Sequence, residues 1–175
     1  MLNGGPLDWG LQEAVAKIRE EDWEKGAAHV AEKIQEIEAR FDLKRELENA
    51  EKEIARSHAQ RLGIGGNNPP EAIDDLPEMA QELTVVWGPF RELEKEVDAE
   101  VPNIERVKSA ISKLMGLLAA CGKWVGEKVD AAASEYAKAI GKWGGTATTV
   151  WIAAQTQQIE AVLKAAQSWL LTLLP

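Results

Sequence analysis

Residues 23–41 read WEKGAAHVAEKIQEIEARF, and their apolar positions recur with the spacing of an α-helix. Two series of apolar residues, each with a spacing of seven, run through this stretch and the residues before it. The first series is Trp9, Ala16, Trp23, Val30 and Ile37, and the second is Ala27, Ile34 and Phe41. Paired series of this kind are typical of a helix that packs along its length against another helix.

The apolar stripe continues beyond Phe41, but its phase shifts near Lys44 and Arg45, as happens in natural coiled coils. We therefore predict a long, coiled-coil-like helix over residues 1–62, with a self-association seam. The seam comprises Trp9, Trp23, Val30, Ile34, Ile37, Phe41, Leu47 and Ile54. An unbroken helix of this length would extend about 80 Å, which is too long for a compact monomer. The helix is therefore expected either to fold back near Gly26, where a kink or a short break is the alternative to a straight helix, or to pair with a second chain.

The stretch GIGGNNPP at residues 63–70 should end this helix, because glycine and asparagine tolerate positive φ and paired prolines forbid helical geometry. We predict a linker over residues 63–75 and a domain boundary there. The part that follows, residues 76–175, is expected to be a three-helix bundle or hairpin.

The three predicted helices of this part cover residues 76–100, 103–141 and 146–174. Asp75 and Glu78 form a capping-box pattern at the start of the first, and its apolar stripe keeps phase across Gly88 and Pro89, which favours one bent helix. A strand start at residues 146–152 is the minor alternative. The sequence as a whole predicts an all-α fold.

The composition argues against several classes of function. The net charge of −9 makes direct nucleic-acid binding unfavourable, because contact with phosphates requires a concentrated basic surface. The chain has one cysteine and two histidines, and neither His29 nor His58 has a carboxylate three residues before it, as a di-iron bundle requires. Cys121 lies in an apolar pattern typical of a buried residue. We therefore predict no catalytic residue, no cofactor, no metal site and no enzymatic activity.

Negative charge is concentrated in residues 63–100, which carry ten acidic and two basic side chains. A dense acidic surface can imitate the phosphates of DNA, whereas the simpler interpretation is a solvated helix face. The candidate acidic partner surface is Glu92, Glu94, Glu96, Asp98 and Glu100. The alternative function is thus an acidic inhibitor that blocks a basic nucleic-acid-binding partner through residues 71–100.

Charge is almost absent near the end of the chain, with none between residues 143 and 159. Small residues at intervals of four allow close helix packing, and tryptophans favour a membrane–water interface. The candidates for close helix packing or a membrane surface are Gly122, Gly126, Ala133, Ala137, Gly141, Gly145, Trp143, Trp151 and Trp169. Because a spanning helix needs about 20 apolar residues, the alternatives are an interfacial hairpin and an alanine-rich soluble core.

Residues 63–71, GIGGNNPPE, resemble an Asn-Asn-Pro-Pro segment of uncharacterised bacterial and phage proteins, although commoner versions have histidine where this chain has Gly66. The resemblance implies a bacterial or phage setting and no particular activity. Residues 1–6 lack the basic start and apolar core of a secretory signal, so we expect a cytoplasmic location, with the inner face of a membrane as the alternative. We predict a helical interaction or assembly protein that forms homo-oligomers or binds a helical partner. An effector or lysis-associated role would follow if the tail contacts a membrane.

Overall fold

The structure, a computed structural model, describes residues 8–61, 76–120 and 155–174, together with residues 134, 135 and 138. Every regular element in these residues is a helix, so the predicted all-α class is confirmed. The six helices are α1 (Trp9–Ala16), α2 (Glu20–Glu24), α3 (Ala27–Arg61), α4 (Leu76–Asp98), α5 (Ile104–Ala120) and α6 (Thr156–Leu173). The predicted linker at residues 63–75 lies outside the described residues.

The long N-terminal helix is present as the 35 residues of α3, but the chain before it is broken twice. One break, at residues 25–26, coincides with Gly26, whose φ of +96° ends the helical path. The other break, at residues 17–19, was not predicted. Its physical reason is local, because Glu20, Glu21 and Asp22 then lie in the first turn of α2, where the helix dipole favours negative charge.

Helix α1 folds back against α3. Asp8 begins α1 by accepting hydrogen bonds from the backbone N–H groups of Gly10 and Leu11, at 3.0 and 3.3 Å. Gly10 lies so close to α3 that a Cβ there would be 3.2 Å from Cε2 of Phe41. Since the chain reverses between these contacts at Gly26, α1 and α3 form an antiparallel hairpin. The fold-back near Gly26 is therefore the alternative that the structure adopts.

Helices α3, α4, α5 and α6 form a four-helix bundle in which α3 packs against α4 and α6, and α5 packs against the same two helices. Helix α4 runs antiparallel to α3, because Arg40 contacts Val97 and Ala99 whereas Glu51, further along α3, lies near Glu94. It also runs antiparallel to α5, because Glu96 pairs with Arg106 whereas Glu92 pairs with Lys113. Fully buried side chains from all four helices share one core, in which each leucine contributes about 2 kcal/mol. They include Leu43, Leu47, Ile54, Val86, Phe90, Leu93, Val107, Leu114, Leu118, Ile159, Leu163 and Trp169. Helix α3 thus belongs to the same core as the helices that follow the predicted linker.

The phase shift in α3 marks a change of partner. Leu43, Leu47, Ala50 and Ile54 are buried in the bundle, whereas Phe41 contacts α1. A shift of one residue rotates the apolar stripe by about 100° around the helix. Helix α3 can therefore present one side to α1 and another to the other helices of the bundle.

Helix α4 continues without a break through Gly88 and Pro89. Proline in a helix interior removes one backbone hydrogen bond, so packing must hold the helix together there. Phe90 is fully buried, and its ring meets that of Trp87 edge to face, with centroids 6.1 Å apart. The core contacts on both sides of Pro89 compensate for the lost hydrogen bond.

Among the described helices, none combines the length and the apolarity needed to cross a bilayer.

Candidate functional site

Among the described residues, the most exposed aromatic side chains lie on the N-terminal arm, which we define as residues 8–26. No residue of α1 is buried. Trp9 and Trp23 remain 74% and 54% exposed. Exposed tryptophan is costly to leave in water and is enriched among the residues that dominate protein–protein binding. The arm is therefore the candidate interaction surface of the chain.

The structure divides the eight predicted seam residues into four groups. Trp9 and Trp23 are exposed on the arm, and Val30 is buried at the start of α3. Ile34, Ile37 and Phe41 are half-buried along the first half of α3. Leu47 and Ile54 lie in the bundle core and are used within the chain.

One polar cluster, the Asp22 node, joins the arm to α3. Asp22 is only 5% exposed, and its carboxylate accepts hydrogen bonds from Lys25 Nζ at 2.8 Å and from Arg19 Nε at 3.4 Å. His29 Nε2 lies 3.1 Å from Asp22 Oδ1. Of these partners, only His29 belongs to α3, so the pair of Asp22 and His29 bridges the turn at Gly26.

The Asp22 node depends on the ionised carboxylate. The hydrogen bonds from Lys25 and then His29 hold the pKa of Asp22 well below its usual range. Ionised Asp22 therefore favours the folded node above its ordinary pKa of 3.8, and this contribution is lost as the pH falls below that value. The sequence offered no signal for the node beyond the acidic run at residues 20–22.

Four of the five acidic residues predicted as a partner surface are distributed around α4 rather than gathered on one face, and the fifth, Glu100, follows the end of the helix. Glu92 pairs with Lys113 Nζ at 2.8 Å, and Asp98 pairs with Lys44 Nζ at 2.9 Å. Glu96 is buried, Glu94 is half-buried and Glu100 is exposed. Because successive residues of a helix are 100° apart, a run of alternating acids cannot form a single stripe.

Glu96 organises the corner between α4 and α5. Its Oε2 accepts a hydrogen bond from the backbone N–H of Asn103 at 2.6 Å, and its Oε1 accepts one from Arg106 Nη1 at 3.3 Å. Asn103 in turn caps α5 by accepting a hydrogen bond from the backbone N–H of Arg106 at 3.1 Å. The same corner is fixed to α3, because Arg40 donates to the carbonyl oxygens of Val97 and Ala99. Glu96 is therefore a structural residue.

Glu51 of α3 and Glu94 of α4 bring their carboxyl groups close together, and a hydrogen bond between them requires one of the two to be protonated. Burial and then the neighbouring Glu94 carboxylate raise the pKa of Glu51 above its ordinary value of 4.5. Arg91 opposes this shift, and Glu48 adds to it. Ionised Glu51 therefore weakens the fold at neutral pH.

Replacing Glu51 with glutamine is expected to stabilise the protein at pH 7 by about 0.5 kcal/mol, because the amide carries no charge and its N–H can donate to the Glu94 carboxylate. The gain should disappear below pH 4.5, where Glu51 is protonated in the wild type as well. Thermal unfolding at the two pH values measures this difference. Glu53→Gln, at an exposed position of α3, is the control that should leave stability unchanged. An equal gain at both pH values would contradict the charge argument.

The candidates near the end of the chain fall largely outside the described residues. Gly122, Gly126, Ala133, Ala137, Gly141, Gly145, Trp143 and Trp151 all lie there. Trp169 is the exception, and it is fully buried in the bundle core. Its position places it in helix packing rather than on a surface.

Within residues 8–61, 76–120 and 155–174, no three histidine, cysteine or acidic side chains group as metal ligands would. An open groove of about 480 Å³ runs between α3 and α6. Its charges are at least partly paired, since Asp42 Oδ1 lies 2.9 Å from Arg45 Nη2. The arm remains the surface with the clearest apolar exposure.

No family model, curated protein or solved structure matches this chain.

Proposed function

We propose that the protein is a non-enzymatic helical assembly protein of bacterial or phage origin, which self-associates through its N-terminal seam. The observation that carries this proposal is the exposure of Trp9 and Trp23 on an arm whose first helix buries none of its residues. A helix of this composition gains little from folding alone, because apolar burial against a partner is what usually stabilises a short helix. The arm therefore fits a partner-dependent surface.

A second copy of the chain is the partner that the sequence pattern favours. The seven-residue spacing through Trp9, Trp23 and Val30 is the pattern by which like helices pair. The arm also carries both signs of charge, as in the pair of Glu13 and Lys17 at 2.8 Å. Two copies can therefore place acidic groups opposite basic ones at the edges of the seam.

The described residues add no observation in favour of the acidic-inhibitor interpretation or of the membrane interpretation. The acidic residues on α4 are divided among ion pairs, the α4–α5 corner and separate faces. The low-charge hairpin suggested as a membrane surface lies mostly outside those residues. Both stay predictions from the sequence.

Replacing Trp9 and Trp23 with serine is expected to raise the dissociation constant of the oligomer about 100-fold, because each buried tryptophan at an interface typically contributes more than 1 kcal/mol. Size-exclusion chromatography with light scattering over a concentration series measures this constant. Circular dichroism should show an unchanged helix content, since both side chains are exposed in the monomer.

The matched control is Leu171→Ser, which removes an exposed apolar side chain of α6 rather than of the arm. It should leave the dissociation constant unchanged. A wild-type chain that stays monomeric up to about 100 μM, or a double variant that associates like the wild type, would refute self-association through the arm.

A further inference from the structure

Gly26 is the point where the arm turns back onto α3. Its φ of +96° lies in the region that favours glycine, and a Cβ at this position would meet no atom within 4 Å. A larger side chain at position 26 would therefore not clash with neighbouring atoms, and only the positive φ disfavours residues other than glycine there. In a helical conformation at residues 17–19 and 25–26, α1, α2 and α3 would become one continuous helix.

The heptad register is already set for that continuous helix. Trp9, Trp23, Val30 and Ile37 keep the same spacing on both sides of Gly26, although the observed turn separates the first two from the others. In the hairpin, Phe41 of the second series lies against Gly10 of the arm. The folded arm therefore covers part of the apolar face of α3. In a continuous helix, the apolar residues of the arm would lie in line with that same face.

The arm contacts α3 through the Asp22 node and through apolar side chains of α1 that are at most half-buried. Helix α1 has no buried residue, and the only buried residue of α2 is Asp22. The Asp22 node spans the turn through the 3.1 Å contact with His29. An attachment that consists of one polar node and a few partly buried apolar contacts has low local stability. Elements that move in proteins usually have low local stability of this kind.

We infer that the arm is a latch, closed in this structure, which opens at Gly26 and straightens into line with α3 to complete the seam. The inference rests on the proposed function, since it supplies the regulation of the same self-association surface. In the closed form the seam is split between the arm and α3, and in the open form the two parts share one face. The Asp22 node holds the closed form.

The test measures the distance between spin labels on Gln12→Cys of α1 and Glu38→Cys of α3, both exposed positions, with Cys121 replaced by serine. Labelled full-length chains are diluted with unlabelled chains, so that only distances within one chain are recorded. The closed hairpin places the two helix axes about 10 Å apart, whereas a continuous helix separates residues 12 and 38 by about 40 Å.

Gly26→Ala is expected to shift the equilibrium toward the long distance by about 30-fold, because alanine is strained at positive φ and favours helix. Gly26→Asn is the matched control, since asparagine tolerates positive φ and should keep the short distance. Asp22→Asn should also increase the long-distance population, because it removes the charge that holds Lys25 and His29.

The outcomes separate the latch from the proposed function. A long distance in Gly26→Ala with a short one in Gly26→Asn supports the latch, whether or not light scattering detects self-association. A short distance that persists in Gly26→Ala overturns the latch, even where the wild-type chain self-associates. Equal shifts in both glycine variants would also overturn it, because they would exclude φ at this position as the hinge.

Discussion

Replacing Trp169 with alanine is expected to lower the free energy of unfolding by about 4 kcal/mol. The Trp169 side chain has no exposed surface and lies in the core that α3, α4, α5 and α6 share. Its removal forfeits the largest fully buried side chain of the described residues and leaves a cavity that a packed bundle closes only in part. Chemical denaturation followed by circular dichroism measures the loss.

Two further variants show whether burial accounts for this effect. Leu171→Ala, two residues away on the same helix and 71% exposed, should change stability by no more than about 0.5 kcal/mol. Trp169→Phe should cost less than alanine, because phenylalanine fills most of the volume. The phenylalanine variant also lacks the indole N–H of Trp169, for which the described residues provide no acceptor. A loss below about 1 kcal/mol for Trp169→Ala would contradict the core position and return Trp169 to the candidates for a membrane surface.

Replacing Glu96 with alanine is expected to destabilise the protein by about 2 kcal/mol, the range for a hydrogen bond to a buried charged group. The backbone N–H of Asn103 loses its carboxylate acceptor, and Arg106 loses its partner at the start of α5. The corner between α4 and α5 should loosen, which hydrogen exchange of the amides in residues 99–106 would detect. Urea denaturation measures the change in the free energy of unfolding.

Glu100→Ala is the matched control, since Glu100 belongs to the same predicted acidic surface but is exposed. It should change stability by less than about 0.5 kcal/mol. If the two variants had equal effects on stability, Glu96 would not be a structural residue, and the acidic residues of α4 would again qualify as one surface.

Periodicity predicted which face of α4 is buried, because burial in a helix bundle repeats with the helical turn. The apolar stripe of α4, which runs through Val86, Phe90, Leu93 and Val97, lies in the core. The helix continues through Pro89, as a stripe that keeps its phase indicates. The phase shift near Lys44 was also visible in the sequence. In the structure it marks the point where the packing partner of α3 changes from α1 to the other helices of the bundle.

Features that depend on three-dimensional pairing could not be predicted in this way. The break at residues 17–19 contains no glycine or proline, and it was recognised only from the position of Glu20, Glu21 and Asp22 in the first turn of α2. Glu96 looks like any other acid in its segment until the α4–α5 corner brings Asn103 to it. Acidic residues that are neighbours in sequence point in different directions on a helix, so counting charge along the chain does not show which of them share a face.

The pairing of α3 with α6 also bears on how the protein is made. Residues 62–155 separate the two helices in the chain, and at about 5–20 residues per second their synthesis takes roughly 5–20 s. During that interval Leu43, Leu47 and Ile54 cannot yet be covered by α6 as the core requires. The apolar face of α3 that α6 will cover is therefore accessible to chaperones and to neighbouring nascent chains during this interval. The speed of translation across residues 62–155 determines how long the interval lasts.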